Sequence, residues 1–470
     1  MTGSSGAGTA ADQLFQAQGQ VACALVVGDA QVTVTADALE VTTATGAASW
    51  AYPDVLGLSL ADYAVVVRTT TGDVVLSRLG YDTEPFYQHL LRAYDDKVRQ
   101  ALFVSGEPLV RAQGRYAYDE GGQTVVGAAP VEVHDDAVLV LPPDLDARRV
   151  PLCFVDSVEA FDYQLALTLT TGERYTLSRL GYETGPVEQA VQEARQRMHA
   201  TAVANVRELD GSLRPDQATA LAGLLLAGVA APLGRLAQIA PSLVPALEAR
   251  LATTRAAETY QAFRELCDPE QICVGFTKVD PRAAIPEVAA AAPADDPADD
   301  DPADDSDGLA AGLSSGLGLS EPLAGLAALS GLAALSGLAS SSGASGTAAG
   351  PGLDGGEPDP FRLWLIAPAR AGSVTAVEFA GRGQDAAATF VYRHDGPGAA
   401  FATQLNRALE AVAFAREPIR LDDDALADPR YARYRMAVQR NAALQAVRRC
   451  LVARVVHRSG WRGAIETYFT

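Results

Sequence analysis

The stretch TTGDVVLSRLGY, Thr70–Tyr81, returns as TTGERYTLSRLGY at Thr170–Tyr182. Upstream, Val32-Thr33-Val34 and Asp37–Val41 match Val131-Glu132-Val133 and Asp136–Val140 at an offset of 99 residues. The Asp62-Tyr63 pair matches Asp162-Tyr163 at 100, and Leu76–Tyr81 matches Leu177–Tyr182 at 101 after one extra residue. Matching order with so small a drift marks a duplicated domain, and a duplicated domain confines the chain to folds in which one unit occurs twice.

Each copy reads as short strands with apolar residues at every second position, joined by tight turns. In the first, VTVTAD, ALEVTTA, DVLGLSL, YAVVVRT and DVVLSRL are the expected strands. Thr71-Gly72-Asp73 and Thr171-Gly172-Glu173 lie between β-branched and apolar runs and mark hairpins. A helix is expected after each Gly-Tyr corner. Pro85 and Pro186 suit a first helical turn. Phe86, Leu90, Leu91, Tyr94, Val98 and Leu102 form one apolar stripe, as do Val187, Val191, Ala194 and Met198. Within the corner, Gly80 and Gly181 fit a reversal that needs positive φ. Leu79 with Tyr81, and Leu180 with Tyr182, are expected to seat the helix on its sheet.

About seventy residues of antiparallel strands closed by one C-terminal amphipathic helix resembles the pleckstrin-homology-like (PH-like) domain, over Val32 to Leu102 and Val131 to Val203. The resemblance implies a strongly bent sheet with the helix plugging one open end. It also raises phosphoinositide binding, for which such domains carry Lys and Arg around the first hairpin. The matching hairpins here, VTVTADALEV and VEVHDDAVLV, contain acids and no basic residue, which puts lipid binding through them in the minority.

Residues 214–267 are rich in Ala and Leu, and Pro232, Pro241 and Pro245 divide them into at least three helical pieces. The apolar run Ala218–Gly234 is short for a membrane span and meets Arg235, so a buried helix is expected. QICVGFTKVD reads as a strand. From Pro281 to Pro360 the chain is low-complexity, an Ala/Pro/Asp stretch followed by tandem GLAALS hexamers, with too little apolar bulk to repay ordering. FRLWLIAPAR, AVEFAG and ATFVYR resume strand patterning, and FATQLNRALEAVAFA is helical. These suggest a third, divergent copy divided by the linker. A single Arg-rich helix is expected over Tyr431–Val456.

The expected class is therefore α+β: two PH-like sheets, with a third suspected, each capped by a C-terminal helix, plus a helical insert and a linker. The boundaries are a disordered terminus at 1–19, PH-like units at 20–106 and 107–208, helices at 209–270, the divided third unit at 271–280 and 361–430, the linker at 281–360 and the Arg-rich segment at 431–470.

The formal charge of -21 argues against a surface that coats nucleic acid or anionic lipid. It is unevenly spread, with eight aspartates between Asp295 and Asp307 and eight arginines from Tyr431 onward. Five scattered cysteines suit a reducing cytoplasm rather than a disulfide framework. No phosphate loop, dinucleotide fingerprint, zinc-protease motif, C-x-x-C pair or serine elbow occurs. The five histidines lie in separate segments, and His134 is expected in a solvated turn. Cys267 and Cys273 read as core residues rather than a redox pair, and the aspartate run as a self-repelling spacer rather than a calcium site. No catalytic residue, cofactor or metal is expected.

The reading is a cytoplasmic, non-catalytic scaffold or adaptor for protein partners. Peripheral membrane or lipid binding is the alternative, and an enzyme with an inter-domain site ranks below it. Arg78, Arg179, Arg448 and Arg449 are the candidate partner-contacting residues. For the first two, snorkelling over their own sheet is the competing fate, and for the C-terminal pair it is pairing with the chain's own acids.

Overall fold

In the computed structural model, the described residues are 13–104, 106–120, 122–254, 256–278, 361–370, 372–380, 388–415 and 417–469. The first copy contributes β1 (Gln13–Ala22), β2 (Val27–Thr35), β3 (Ala38–Thr43), β4 (Ala47–Ala51), β5 (Val55–Ala61), β6 (Ala64–Thr69), β7 (Gly72–Ser77) and then helix α1 (Thr83–Ala101). The second contributes β8 (Val110–Glu120), β9 (Gln123–Val133), β10 (Ala137–Val140), β11 (Arg148–Pro151), β12 (Val155–Phe161), β13 (Gln164–Leu169), β14 (Arg174–Ser178) and α2 (Thr184–Leu209). Both sheets have seven strands in the same antiparallel order, β4-β3-β2-β1-β7-β6-β5 and β11-β10-β9-β8-β14-β13-β12.

Alternation sets the faces. Val32, Val34, Leu39 and Val41 point inward with no exposure, and so do Phe86, Leu90 and Tyr94 of α1, which close on them. Burying each such side chain stabilises by about 1.5–3 kcal/mol. Val187, Val191 and Ala194 do the same for the second sheet.

The first strand begins at Gln13, so the expected disordered terminus of 1–19 overlaps it by seven residues. Its polar composition hides a period of two: Ala17 and Val21 are buried, while Gln16 and Gln18 face out. Ala17-Gln18-Gly19 also returns as Ala112-Gln113-Gly114 in β8. A Cβ on Gly19 would lie 2.8 Å from the Leu79 side chain, and one on Gly114 2.6 Å from Leu180. Each copy thus pairs a strand glycine with the leucine of its corner.

The lobes share cores. Leu139, Leu141 and Ala147 of the second copy, and Met436 from the C-terminal region, pack into the first copy's core. Leu58 N–H donates to Pro143 O at 2.8 Å.

The third region starts with α3 (Pro215–Leu224), β15 (Ala231–Pro232), α4 (Leu233–Ile239), α5 (Leu243–Leu251) and α6 (Ala257–Leu266). The run 218–234 is partly buried, with Ala218, Leu221, Ala222, Leu225 and Leu233 inside, but it is not one helix. The chain turns at Ala227 and Gly228, both at positive φ, and Pro232 starts the next piece. No helix among the described residues is long and apolar enough to cross a membrane. A six-stranded antiparallel sheet follows in the order β15-β16-β17-β18-β19-β20, from β16 (Cys273–Lys278), β17 (Phe361–Pro368), β18 (Val374–Ala380), β19 (Ala388–Arg393) and β20 (Leu451–Val456). Between β19 and β20 lie α7 (Gly398–Glu410), α8 (Glu417–Arg420), α9 (Asp423–Leu426), α10 (Ala432–Gln439) and α11 (Ala442–Cys450), and α12 (Trp461–Phe469) ends the chain.

The Arg-rich segment differs from expectation. Instead of one helix over 431–456 there are two helices and a strand. Asn441 breaks the helix and caps a new one by accepting from Leu444 N–H at 2.9 Å, and β20 then joins the sheet edge beside β19.

Lys278 and Phe361 are register partners. The sequence-expected linker at 281–360 falls outside the described residues, yet its flanking strands meet side by side. Removing 281–360 is expected to leave the melting temperature unchanged or raise it. Loop-closure cost grows with the logarithm of length, so a closure of a few residues costs about 2–3 kcal/mol less than one of about eighty. A fall of more than a few degrees in a thermal melt would show that the segment contributes structure.

Candidate interaction surface

The corner repeated in the sequence is built identically in both lobes. β7 and β14 end at Ser77 and Ser178, and the next residues, Arg78 and Arg179, both take φ of 56°. Gly80 and Gly181 follow at φ of 63° and 62°, so each reversal uses two left-handed residues. Leu79 and Leu180 turn inward and are buried. The turn is then locked to its helix, as Thr83 Oγ1 donates to Gly80 O at 2.9 Å and Thr184 Oγ1 to Gly181 O at 3.0 Å.

Tyr81 and Tyr182 were expected to seat the helix, and the structure corrects this. They are 102% and 100% exposed. The single-turn helices Gly80–Asp82 and Gly181–Glu183 rotate the tyrosine outward and leave the seating to the leucine before it.

A second tyrosine joins each corner. Asp62-Tyr63 and Asp162-Tyr163 form the β5–β6 and β12–β13 hairpin tips, with φ of 52° and 59° in one and 48° and 58° in the other. Val65 pairs with Leu76, and Gln164 with Ser178, which brings each tip to the strand end that carries the arginine. Tyr63 and Tyr163 are exposed, and the second copy adds exposed Phe161. None of Tyr63, Arg78, Tyr81, Tyr163, Arg179 and Tyr182 hydrogen-bonds or ion-pairs with a described residue. Two consecutive left-handed positions favour Asn-Gly, and a tyrosine there costs about 1–2 kcal/mol. Tyr63→Gly and Tyr163→Gly should therefore each raise unfolding stability by about 1 kcal/mol. A loss of stability in denaturant titration would refute the strain.

The C-terminal candidates have a different fate. Arg448 donates to Asp423 Oδ1 and to Pro418 O, both at 2.6 Å, tying α11 to α8 and α9. Arg449 is exposed one residue on. Two further arginines of the segment reach the first lobe: Arg433 donates to Gln100 O at 2.6 Å and Arg435 to Asp54 at 2.8 Å. The four arginines thus sit at three places, and only Arg78 and Arg179 are equivalent.

His134, expected in a solvated turn, is buried, with Nε2 3.3 Å from Glu132 Oε2. Glu132 also accepts two hydrogen bonds from Arg99 of α1, each 3.0 Å long, across the seam between the copies. Burial pushes the Glu132 carboxyl up, but the hydrogen bonds from His134 and Arg99 and the charges of Arg99 and Arg111 outweigh it and hold it down to about 2. Cys267 and Cys273 are free and buried. No group of three or more His, Cys, Asp or Glu among the described residues could hold a metal ion.

The four tyrosines were missed because an aromatic residue next to a corner reads as core. Their retention in both copies was the available signal. No protein-family model matches the chain, and no curated protein matches it by sequence.

Proposed function

We propose that the protein is a non-catalytic scaffold whose two tandem lobes are PH-like and present matched tyrosine–arginine corners to protein partners. The carrying observation is that Tyr63, Arg78 and Tyr81 recur as Tyr163, Arg179 and Tyr182, exposed and unpartnered, with four left-handed backbone positions in each corner (Asp62, Tyr63, Arg78 and Gly80, and their counterparts Asp162, Tyr163, Arg179 and Gly181). Tyr and Arg are the side chains most enriched where interfaces concentrate their energy. Seven antiparallel strands closed by a C-terminal helix, in the same order twice, support the PH-like reading. The third sheet fits it less well, because α7 is followed by further helices and the edge strand β20.

The test compares proteins captured by the full chain with those captured by the Tyr81→Ser/Tyr182→Ser variant. Exposed substitutions of this kind change stability by about 0.5 kcal/mol or less, so specific loss of a partner supports the reading. An unchanged set of partners would remove it. Co-sedimentation with vesicles that is lost in the same variant would favour the lipid alternative instead.

A further inference from the structure

A cleft lies where the three lobes meet, walled by the end of α1, by β11 and β14, by α7 and by the α10–α11 junction. Four arginines line it, Arg148, Arg149, Arg407 and Arg440, against two acids, Glu120 and Glu173. Arg149, Arg407 and Arg440 are 6%, 5% and 1% exposed. Three of the four have carboxylate partners: Arg148 with Glu120 at 2.7 Å, Arg407 with Glu173 at 3.1 Å, and Arg149 with Glu410 and Asp136.

Arg440 has none. It donates to the Tyr94 hydroxyl at 2.6 Å and to Met436 O at 3.3 Å, and forms no ion pair with a described residue. A guanidinium cannot shed its proton at ordinary pH, so burial leaves a full charge without a counter-charge. Each of the four arginines also keeps one N–H without a partner: Nε of Arg148, Arg149 and Arg440, and Nη1 of Arg407. Asn441, Ala442 and Ala443, the start of the nine-residue α11, complete the wall, adding the positive end of a helix. The cleft measures about 30 Å³. That exceeds the roughly 10–15 Å³ that a single water requires.

We propose that this cleft binds one phosphate-class oxyanion, with Arg440 supplying the charge that no protein carboxylate neutralises. The site is separate from the tyrosine–arginine corners and stands or falls independently of them. An oxyanion accepts from several guanidinium N–H groups at once, which matches four unsatisfied donors better than a chloride does. Bound there, it would tie the second lobe to the third region, because its ligands come from β11 on one side and from α7 and the α10–α11 junction on the other.

The test is calorimetric titration of the full chain with inorganic phosphate and with glycerol 2-phosphate, using chloride at matched ionic strength as the control. Saturable heat with phosphate is expected, with a melting temperature raised by about 2–4 °C. Binding of both ligands would mean that the site takes a phosphoryl group on an organic body, and binding of phosphate alone would mean the free anion. Phosphate behaving like chloride overturns the proposal. Arg440→Met should weaken binding by about tenfold or more without lowering the melting temperature of the unliganded chain. Arg440→Lys, which keeps the charge but loses the planar fork, should weaken it less. Wild-type phosphate affinity in either the Met variant or, if that fails to fold, an Arg407→Gln variant would overturn the assignment.

Discussion

Glu410→Ala is expected to lower the unfolding free energy by about 3–5 kcal/mol, because it strands Arg149 as a buried charge. Glu410 ends α7 in the third region, and Arg149 lies on β11 of the second lobe, so the ion pair bridges two sheets. Both side chains are almost wholly buried, at 4% and 6% exposure. Arg149 would retain only Asp136, at 2.9 Å and about half exposed, where water weakens the attraction. Replacing both partners, as Arg149→Met/Glu410→Leu, removes the stranded charge and should recover most of the loss. Glu410→Gln keeps a hydrogen-bond acceptor and should fall between the two. Denaturant titrations at unchanged slope measure these differences. A Glu410→Ala cost below about 1 kcal/mol would show that water reaches Arg149 and screens its charge.

What could be read from the chain follows from how far apart the interacting residues lie. The hairpins and the apolar stripes of α1 and α2 are local patterns, and Val32, Val34, Phe86 and Val187 face inward as their spacing implies. β1 was legible in principle from Phe15, Ala17, Gly19 and Val21, but glutamines between them and the small inward residues masked the period. β20 was hidden differently: Leu451-Val452-Ala453-Arg454-Val455 alternates, yet it follows an Arg-rich helical pattern without a glycine or proline to separate them. The cleft was not legible at all. Arg149, Arg407 and Arg440 are up to 291 positions apart, and nothing in their neighbours distinguishes a buried arginine from a solvated one. The corner was half legible. Its glycines and leucines obey local rules, whereas the outward turn of Tyr81 depends on the short helix that Thr83 locks in place.

Asp95→Asn is expected to stabilise the protein at pH 8 by about 2–4 kcal/mol and to have little effect at about pH 3. Asp95 lies on the buried face of α1, 7% exposed, and its Oδ1 has no hydrogen-bond partner. Burial drives its carboxyl up to about 7; the nearby Arg99 charge opposes this, and repulsion from Glu132 and Asp96 adds to it. A carboxyl whose folded value lies above its ordinary value near 3.8 prefers its proton in the folded state. Its favourable contribution is complete below about pH 4 and is lost as pH rises through 7, at about 1.4 kcal/mol for each unit between the two values. Asparagine keeps the shape and never ionises, so the variant escapes the loss. Glu132, on the facing strand β9, behaves in the opposite sense. Held down to about 2, it contributes stability that is present above its ordinary range near 4.5 and lost as pH falls toward 2. The two windows overlap only between 3.8 and 4.5, and stability falls with rising pH in the Asp95 window and rises in the Glu132 window, so a profile from pH 2 to 9 separates them. Asp95→Asn should flatten only the limb between pH 4 and 7. A benefit of equal size at every pH would mean that the substitution acts through packing, and that Asp95 does not ionise in the seam between the two copies.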